Sequence, residues 1–443
     1  MHDLFNAARK NKTLKDILPH LPGRTYLVGG CVRDLMLGYV PSDFDLVTFG
    51  ASMDLARQLG AILGGKAFFM DQERQVARVA LNHGALTIDV SPPKGNDIAA
   101  DLAERDITIN AMALNPFDGT LIDPLGGQKD LQERRIRLIA EKNLKDDPLR
   151  GLRCLRFCVQ LGFSLDCITR EVIKNNAETL QRIAPERIKY EFLKALKCSS
   201  SITFFSLLMD AGYVPVLFKA PVDEARLRLS LELVSGVEGL LLDVSSYLPG
   251  IKDPFAEELE HGFTRSGALR LAGFFAGMAG SPPSNYDHDM VYSWCRKLAL
   301  SSLAGRIIAT TISGMAGVHG LDEKPVLKGS DMHRLLSAYQ QCIPEMLLLA
   351  LASNALAVQK ITDGSRDVSI QTHVASLWEY FLETYQFHAA VPLLTGHDIM
   401  ENLSLAPGPK VGELLRLAEE ARADGIISSS KQALEYLRSI MAE

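Results

Sequence analysis

The chain has 443 residues, of which 47% are hydrophobic, with mean hydropathy near zero, a net charge of −6 and a pI of about 6.0. No uninterrupted apolar run reaches the roughly 18 residues of a membrane span, and the opening MHDLFNAARKNK lacks the apolar core of a secretory signal. Seven cysteines, none in a CxxC pair, fit a reduced, cytoplasmic thiol set and exclude a simple disulfide scaffold.

Residues 1–22 read as a short amphipathic helix. TYLVGG then reads as a strand entering a turn, VRDLMLG as a short helix and FDLVTFG as a second strand. QVARVAL and ALTIDVS form a strand pair. From about residue 141 onward nearly every segment has helical periodicity, with breaks near 199–201, 248–253, 280–284 and 363–366. The most apolar stretch, Met346 to Val358, is short and carries Ser353 and Asn354, so it reads as a buried helix. The pattern predicts an α+β protein, a sheet domain followed by a long all-helical body, with no membrane segment. The acidic average argues weakly against a nucleic-acid partner. However, nine Lys/Arg face five Asp/Glu between Lys129 and Arg156, so any RNA contact is expected there.

The chemistry concentrates in YLVGGCVRDLMLGYVPSDFDLVTFG, residues 26–50. Gly29 and Gly30 fall at a strand-to-helix turn, where the missing Cβ atoms let a phosphate approach the backbone and the next helix offers free N–H groups. Arg33 adds a cation for the same phosphates. Asp43 and Asp45, at i and i+2 on a strand, point to one face. Two carboxylates on one face suit Mg²⁺, an ion that takes oxygen ligands and shares them with substrate phosphates. Asp89, on a neighbouring strand, is the candidate third carboxylate. A double glycine or a DxD pair alone is common on protein surfaces; the ordered series is specific.

That series resembles the signature of polymerase beta-type nucleotidyltransferases, and VRDxxLG resembles the class containing bacterial CCA-adding enzymes and poly(A) polymerases. Three later stretches match in order. ERDITINAMALN resembles the family's RRDFTxNA motif, with Glu104 in place of the first Arg. By that resemblance Asp106 contacts a ribose 2′-hydroxyl, while Arg105 and Asn110 organise the nucleotide. KDDPLRGLRCLRF resembles EDxxR, with Asp146 in place of the Glu. The resemblance gives Asp147 and Arg150 the reading of the incoming base, and turns Arg153 and Arg156 toward triphosphate or the helix-lined pocket. In IAPERIKYEFLKAL, Glu186, Arg187 and Glu191 match ERxxxE and imply a structural role. At 269–280, where longer relatives carry a His-Asp metal pair, Ala276 and Gly277 stand, so phosphohydrolase activity is not expected. The PGP turn with Lys410 resembles a C-terminal segment of these tRNA enzymes and offers an RNA phosphate a helix start.

The resemblance implies a catalytic head at 1–140, base-recognition helices at 141–200, an elongated helical body at 201–380 and a tRNA-binding tail at 381–443. It implies Mg²⁺ as cofactor, CTP or ATP as substrate and the tRNA 3′ end as acceptor. A flexible loop of about thirty residues follows the third-carboxylate strand in members that add complete CCA. Here only 15 residues separate Asp89 from Arg105, which favours CC addition from CTP. Full CCA addition, a poly(A) polymerase and a non-catalytic RNA-binding protein are the alternatives.

Overall fold

Strand β2 (Asp43–Thr48) alternates exposed Asp43, buried Phe44, half-buried Asp45 and buried Leu46, and this alternation fixes which side of the sheet carries the acids. The computed structural model describes residues 11–198, 200–220, 223–252, 254–280, 287–321, 324–360 and 367–442. The first half of the expected N-terminal helix, and the breaks expected at 281–284 and 363–366, lie outside the described residues.

The chain divides into two compact units. One comprises residues 1–195 with 210–216, and the other residues 196–209 with 217–443. In the first, helix α1 (Lys12–Ile17) precedes β1 (Thr25–Val28), α2 (Gly30–Met36) and β2. Helix α3 (Ser52–Leu63) follows, then β3 (Lys66–Asp71), β4 (Val76–Leu81) and β5 (Leu86–Ser91). With β6 (Ala113–Leu114) and β7 (Leu121–Ile122), the seven strands form one sheet in the order β3-β4-β5-β2-β1-β6-β7. β2 and β5 run parallel, with Asp45 opposite Asp89, whereas the other pairings are antiparallel. α3 buries Leu55, Ala56 and Leu59 against β3 and β4, and ends at Gly64 in the left-handed region. β3 was not anticipated from the sequence. KAFFMD does not alternate, because this edge strand is half-buried on both faces.

Beyond the sheet lie α4 (Ile98–Ala103), α5 (Gly127–Gln132), α6 (Glu141–Asp146), α7 (Leu149–Leu161), α8 (Cys167–Asn175) and α9 (Pro185–Leu196). α7 buries Leu152, Cys154 and Leu155. Its Gly151 admits Tyr213: a Cβ there would lie 2.0 Å from the Tyr213 hydroxyl, so no larger residue fits without displacing that ring.

The second unit is helical, as expected, around stacked aromatics. Phe205 and Phe274 lie 4.1 Å apart, and Phe218 meets Phe275 edge-on at 5.1 Å. Burying each such ring contributes roughly 1.5–3 kcal/mol. Ala276 and Gly277 belong to this core; a Cβ on Gly277 would meet the Ser230 backbone at 2.3 Å. The apolar stretch beginning at Met346 is the buried face of helix Ile343–Lys360. The last three helices, Gly396–Leu403, Pro409–Ala423 and Ser430–Ala442, enclose their own core of Ile399, Leu414, Ala418 and Leu437. Two short ladders interrupt the helical part, Arg135–Ile136 with Ser164–Leu165 and Glu258–Glu260 with Phe263–Thr264. Runs of two or three residues are too brief to show a period. No single helix among the described residues is long and apolar enough to cross a membrane.

Candidate active site

A cleft of about 660 Å³ opens within the first unit, over the carboxyl-bearing side of β2 and β5. Its wall is balanced in charge. Asp45, Asp89, Asp101, Glu104, Asp106 and Asp147 face Arg74, Lys94, Arg105, Arg150, Arg153 and Arg187. Such a cleft can hold an anion together with a cation.

The sheet supplies the acids. Asp43 stands exposed at the start of β2 and accepts from Thr87 Oγ1 at 2.6 Å. Burial pushes the Asp45 carboxyl up to about 6; Arg105 opposes this shift, while Asp89 and Asp43 add to it. Asp89 accepts from Arg78 Nε and Nη2, each at 2.7 Å. Gly29 ends β1 at φ +78°. A Cβ there would meet Arg105 Nη1 at 2.9 Å and Asp45 Oδ2 at 3.0 Å, so both the backbone conformation and the close approach call for glycine. Gly30 begins α2.

Arg105 is anchored by Asp101, which accepts from its Nε at 3.2 Å and its Nη2 at 3.1 Å. The same buried Asp101 accepts from the backbone N–H of Lys94 at 2.9 Å. One carboxylate therefore fixes both the arginine and the connection after β5. Asp106 receives Arg153 Nε at 2.8 Å and Nη2 at 2.7 Å. Burial pushes the Asp106 carboxyl up, but Arg153 and the Ile107 N–H outweigh it and hold the group below its usual range. Asp147, just before α7, accepts from Arg187 at 2.9 Å and from the Leu149 N–H at 3.3 Å. Arg150 donates to the Arg105 and Glu104 carbonyls at 3.0 and 2.7 Å. Of its five N–H donors, three remain for another partner.

Six expected site residues do not line the cleft: Gly29, Gly30 and Asp43, and the buried Arg33, Asn110 and Arg156. Arg33 is 5% exposed and donates to Asp34 at 2.8 and 2.7 Å and to Asn110 at 2.6 Å. Packing of α2 against the sheet turns it inward, so its charge is spent on those partners. Asn110, 6% exposed, bridges Arg33 and Asp106, the latter at 3.5 Å. Arg156 lies beneath the cleft, 5% exposed, on the Phe157 ring at 3.9 Å, bonded to Gln160 and to Glu191 at 2.5 Å. Six residues beyond Arg150, an ideal helix has turned by about 240°, away from the opening. The basic stretch expected to meet RNA is also partly internal, because Arg135 and Arg137 both bind the fully buried Asp130.

The sequence reading missed Arg74, Arg78, Lys94 and Asp101, and gave Arg187 a structural role only. Arg78 had one legible signal: an outward arginine on β4 faces an outward aspartate on β5, a favourable cross-strand pair.

Whether the acids suit a divalent cation is decided by Asp45. Burial raises this carboxyl, and Arg105 only partly offsets the burial and the two neighbouring acids, so an ion with oxygen ligands would suit the charge there. Asp43 and Asp45 fit such an ion.

Known proteins resemble this chain along most of its length. The family model "Poly A polymerase head domain" matches residues 25–137. A second, "Probable RNA and SrmB- binding site of polymerase A", matches residues 162–223. A CC-adding tRNA nucleotidyltransferase of Geobacter sulfurreducens is 31% identical over 418 residues, covering 93% of this chain and 91% of its own. An A-adding tRNA nucleotidyltransferase of Deinococcus radiodurans is 29% identical over 460 residues, covering 95% and 96%. Among solved structures, the Thermotoga maritima CCA-adding enzyme complexed with tRNA superposes with a TM-score of 0.68 at 23% identity, covering 99% of this chain and 98% of that one. A CCA-adding enzyme complexed with CTP gives 0.72 at 22%, covering 100% and 98%.

Proposed function

Because this chain belongs to the class II tRNA nucleotidyltransferase and poly(A) polymerase family, and is an RNA nucleotidyltransferase, we propose that it adds the two C residues of the tRNA 3′ end from CTP. The observation that carries CC specificity is the connection between β5 and α4. Pro92–Asp97 is six residues long, begins with two prolines, and lines the cleft beside Arg105 through Pro92, Pro93 and Lys94. Asp101 grips the Lys94 N–H, and Asp97 caps α4 by accepting from Ala100. Adding A after C requires the base-reading residues to be re-aimed. A short connection pinned at both ends has no slack to drive that change.

Each residue then has a chemical task. Asp147 accepts from the exocyclic amine of cytosine, and Arg150 donates to its ring nitrogen and carbonyl, so the pair reads C without a template. Asp106, oriented by Arg153, accepts from the ribose 2′-hydroxyl and favours a ribonucleotide. Arg105, fixed by Asp101 next to the Gly29 backbone, faces the triphosphate. Asp43 and Asp45 would hold Mg²⁺, which would supply charge neutralisation at the phosphates and activation of the attacking hydroxyl. Residues 1–140 serve as the catalytic head and 141–200 as the base-reading helices. Residues 201–380 form the body, and 381–443 a tail that binds tRNA.

Incubation with a tRNA trimmed of its 3′ end tests the specificity. CTP alone is expected to give two additions, ATP alone none, and both together a product still ending in CC by sequencing. Addition of A to a CC-ended tRNA, or long A tails on unrelated RNA, overturns the CC reading.

A further inference from the structure

Arg78 projects from the centre of β4. It stands opposite Asp89, which itself stands opposite Asp45, so all three side chains share one side of the sheet. Its guanidinium engages both Asp89 oxygens at 2.7 Å, the bidentate fork that makes arginine–carboxylate pairs strong and directional. The side chains are 31% and 26% exposed, so water screens the pair only in part. The other two carboxylates are placed differently: Asp43 is held by the neutral Thr87 hydroxyl, and Asp45 lines the cleft next to Gly29. Among the described residues, no three His, Cys, Asp or Glu side chains are grouped to hold a metal ion. Asp89 is close to the acids in register, but its oxygens are already committed.

We propose that Arg78 is a positioning residue that withholds Asp89 from the metal centre, leaving only Asp43 and Asp45 open to a divalent cation in the nucleotide-free enzyme. This rests on the reading of Asp43 and Asp45 as metal ligands. Without Arg78 the same patch carries a third carboxylate free of its arginine and one positive charge fewer. A cation there gains both a ligand and a stronger field. Arg78 thereby keeps the centre weak until a nucleotide brings its own phosphate oxygens, and prevents the free enzyme from being trapped with metal.

Mn²⁺ titrated into the full-length enzyme without nucleotide, with free ion read by electron paramagnetic resonance, tests this apart from activity. Arg78→Gln is expected to bind Mn²⁺ at least roughly tenfold more tightly than wild type, a factor between those of one unit charge a few ångströms away in bulk water and near a protein surface. Asp89→Asn leaves the Arg78 charge uncompensated beside the acids and is expected to weaken Mn²⁺ binding severalfold, whereas the Arg78→Gln/Asp89→Asn double variant is expected to return close to the wild-type value. Should Arg78→Gln fail to fold by circular dichroism, Arg78→Lys keeps the charge, cannot span both oxygens, and is expected to tighten binding by a smaller factor. The proposal is overturned if the double variant binds Mn²⁺ as tightly as Arg78→Gln alone, or if the Arg78 variants leave binding unchanged while Asp45→Asn abolishes it. If Asp45→Asn also binds Mn²⁺ like wild type, the metal reading of Asp43 and Asp45 fails, and the Arg78 role with it.

Discussion

Asp45→Asn is expected to lower the rate of nucleotide incorporation by roughly a thousandfold or more, because phosphoryl transfer depends on positioning and charge neutralisation, which metal ions supply. The substitution keeps shape and size but removes the anionic ligand next to Gly29 and Arg105. Stability should move the other way. The Asp45 carboxyl is raised to about 6 from an ordinary 3.8, so the folded state disfavours its ionised form. A raised carboxyl makes the fold relatively most stable below 3.8 and progressively less so as pH rises through about 6. Asparagine carries no such penalty. In metal-free buffer Asp45→Asn is therefore expected to melt higher than wild type above pH 6, with the difference shrinking through that range and vanishing below 3.8. Single-turnover incorporation and melting at several pH values check both halves. A variant retaining activity within tenfold of wild type would remove Asp45 from the reaction.

The acids were readable because strand alternation is a rigid code. Asp43 and Asp45, two apart, had to share a face, and LTIDVS alternates in the same way; alternation fixes the face, and the pairing that sets Asp45 opposite Asp89 comes from the packed sheet. The arginines were harder, since their long chains reach either way from one backbone position. Arg150, Arg153 and Arg156 look equivalent in the sequence, yet the first two line the cleft while the third lies beneath it. Arg33, read as a phosphate ligand, is consumed by Asp34 and Asn110, partners 1 and 77 positions away. No local pattern encodes the second of these. Arg74 escaped because the β3 edge strand that positions its turn has no period to detect. The helical segments were legible by period, but which of their polar residues meet across helices was not.

Glu191 is such a residue, and it carries the second large effect. It lies on α9, 2% exposed, where it receives Arg156 Nε at 2.5 Å and approaches Arg153 Nη1 at 3.6 Å. From it a polar chain runs through Arg153 to Asp106, then through Asn110 to Arg33 on α2. Glu191→Ala removes the acid that Arg153 and Arg156 of α7 share. Arg156, 5% exposed, keeps only Gln160 and the Phe157 ring, and an uncompensated buried charge costs about 3–5 kcal/mol. Melting is expected to fall by roughly 10 °C in a unit of this size. Activity should fall at temperatures where the variant is still folded, since Arg153 loses its second anchor and no longer fixes Asp106 against the ribose. Glu191→Gln keeps an acceptor in the same place and is expected to lose less of both. If Glu191→Ala melts within about 2 °C of wild type, the shift expected from about 0.5–1 kcal/mol, the arginines have found other partners and the chain from α9 to the cleft is not continuous.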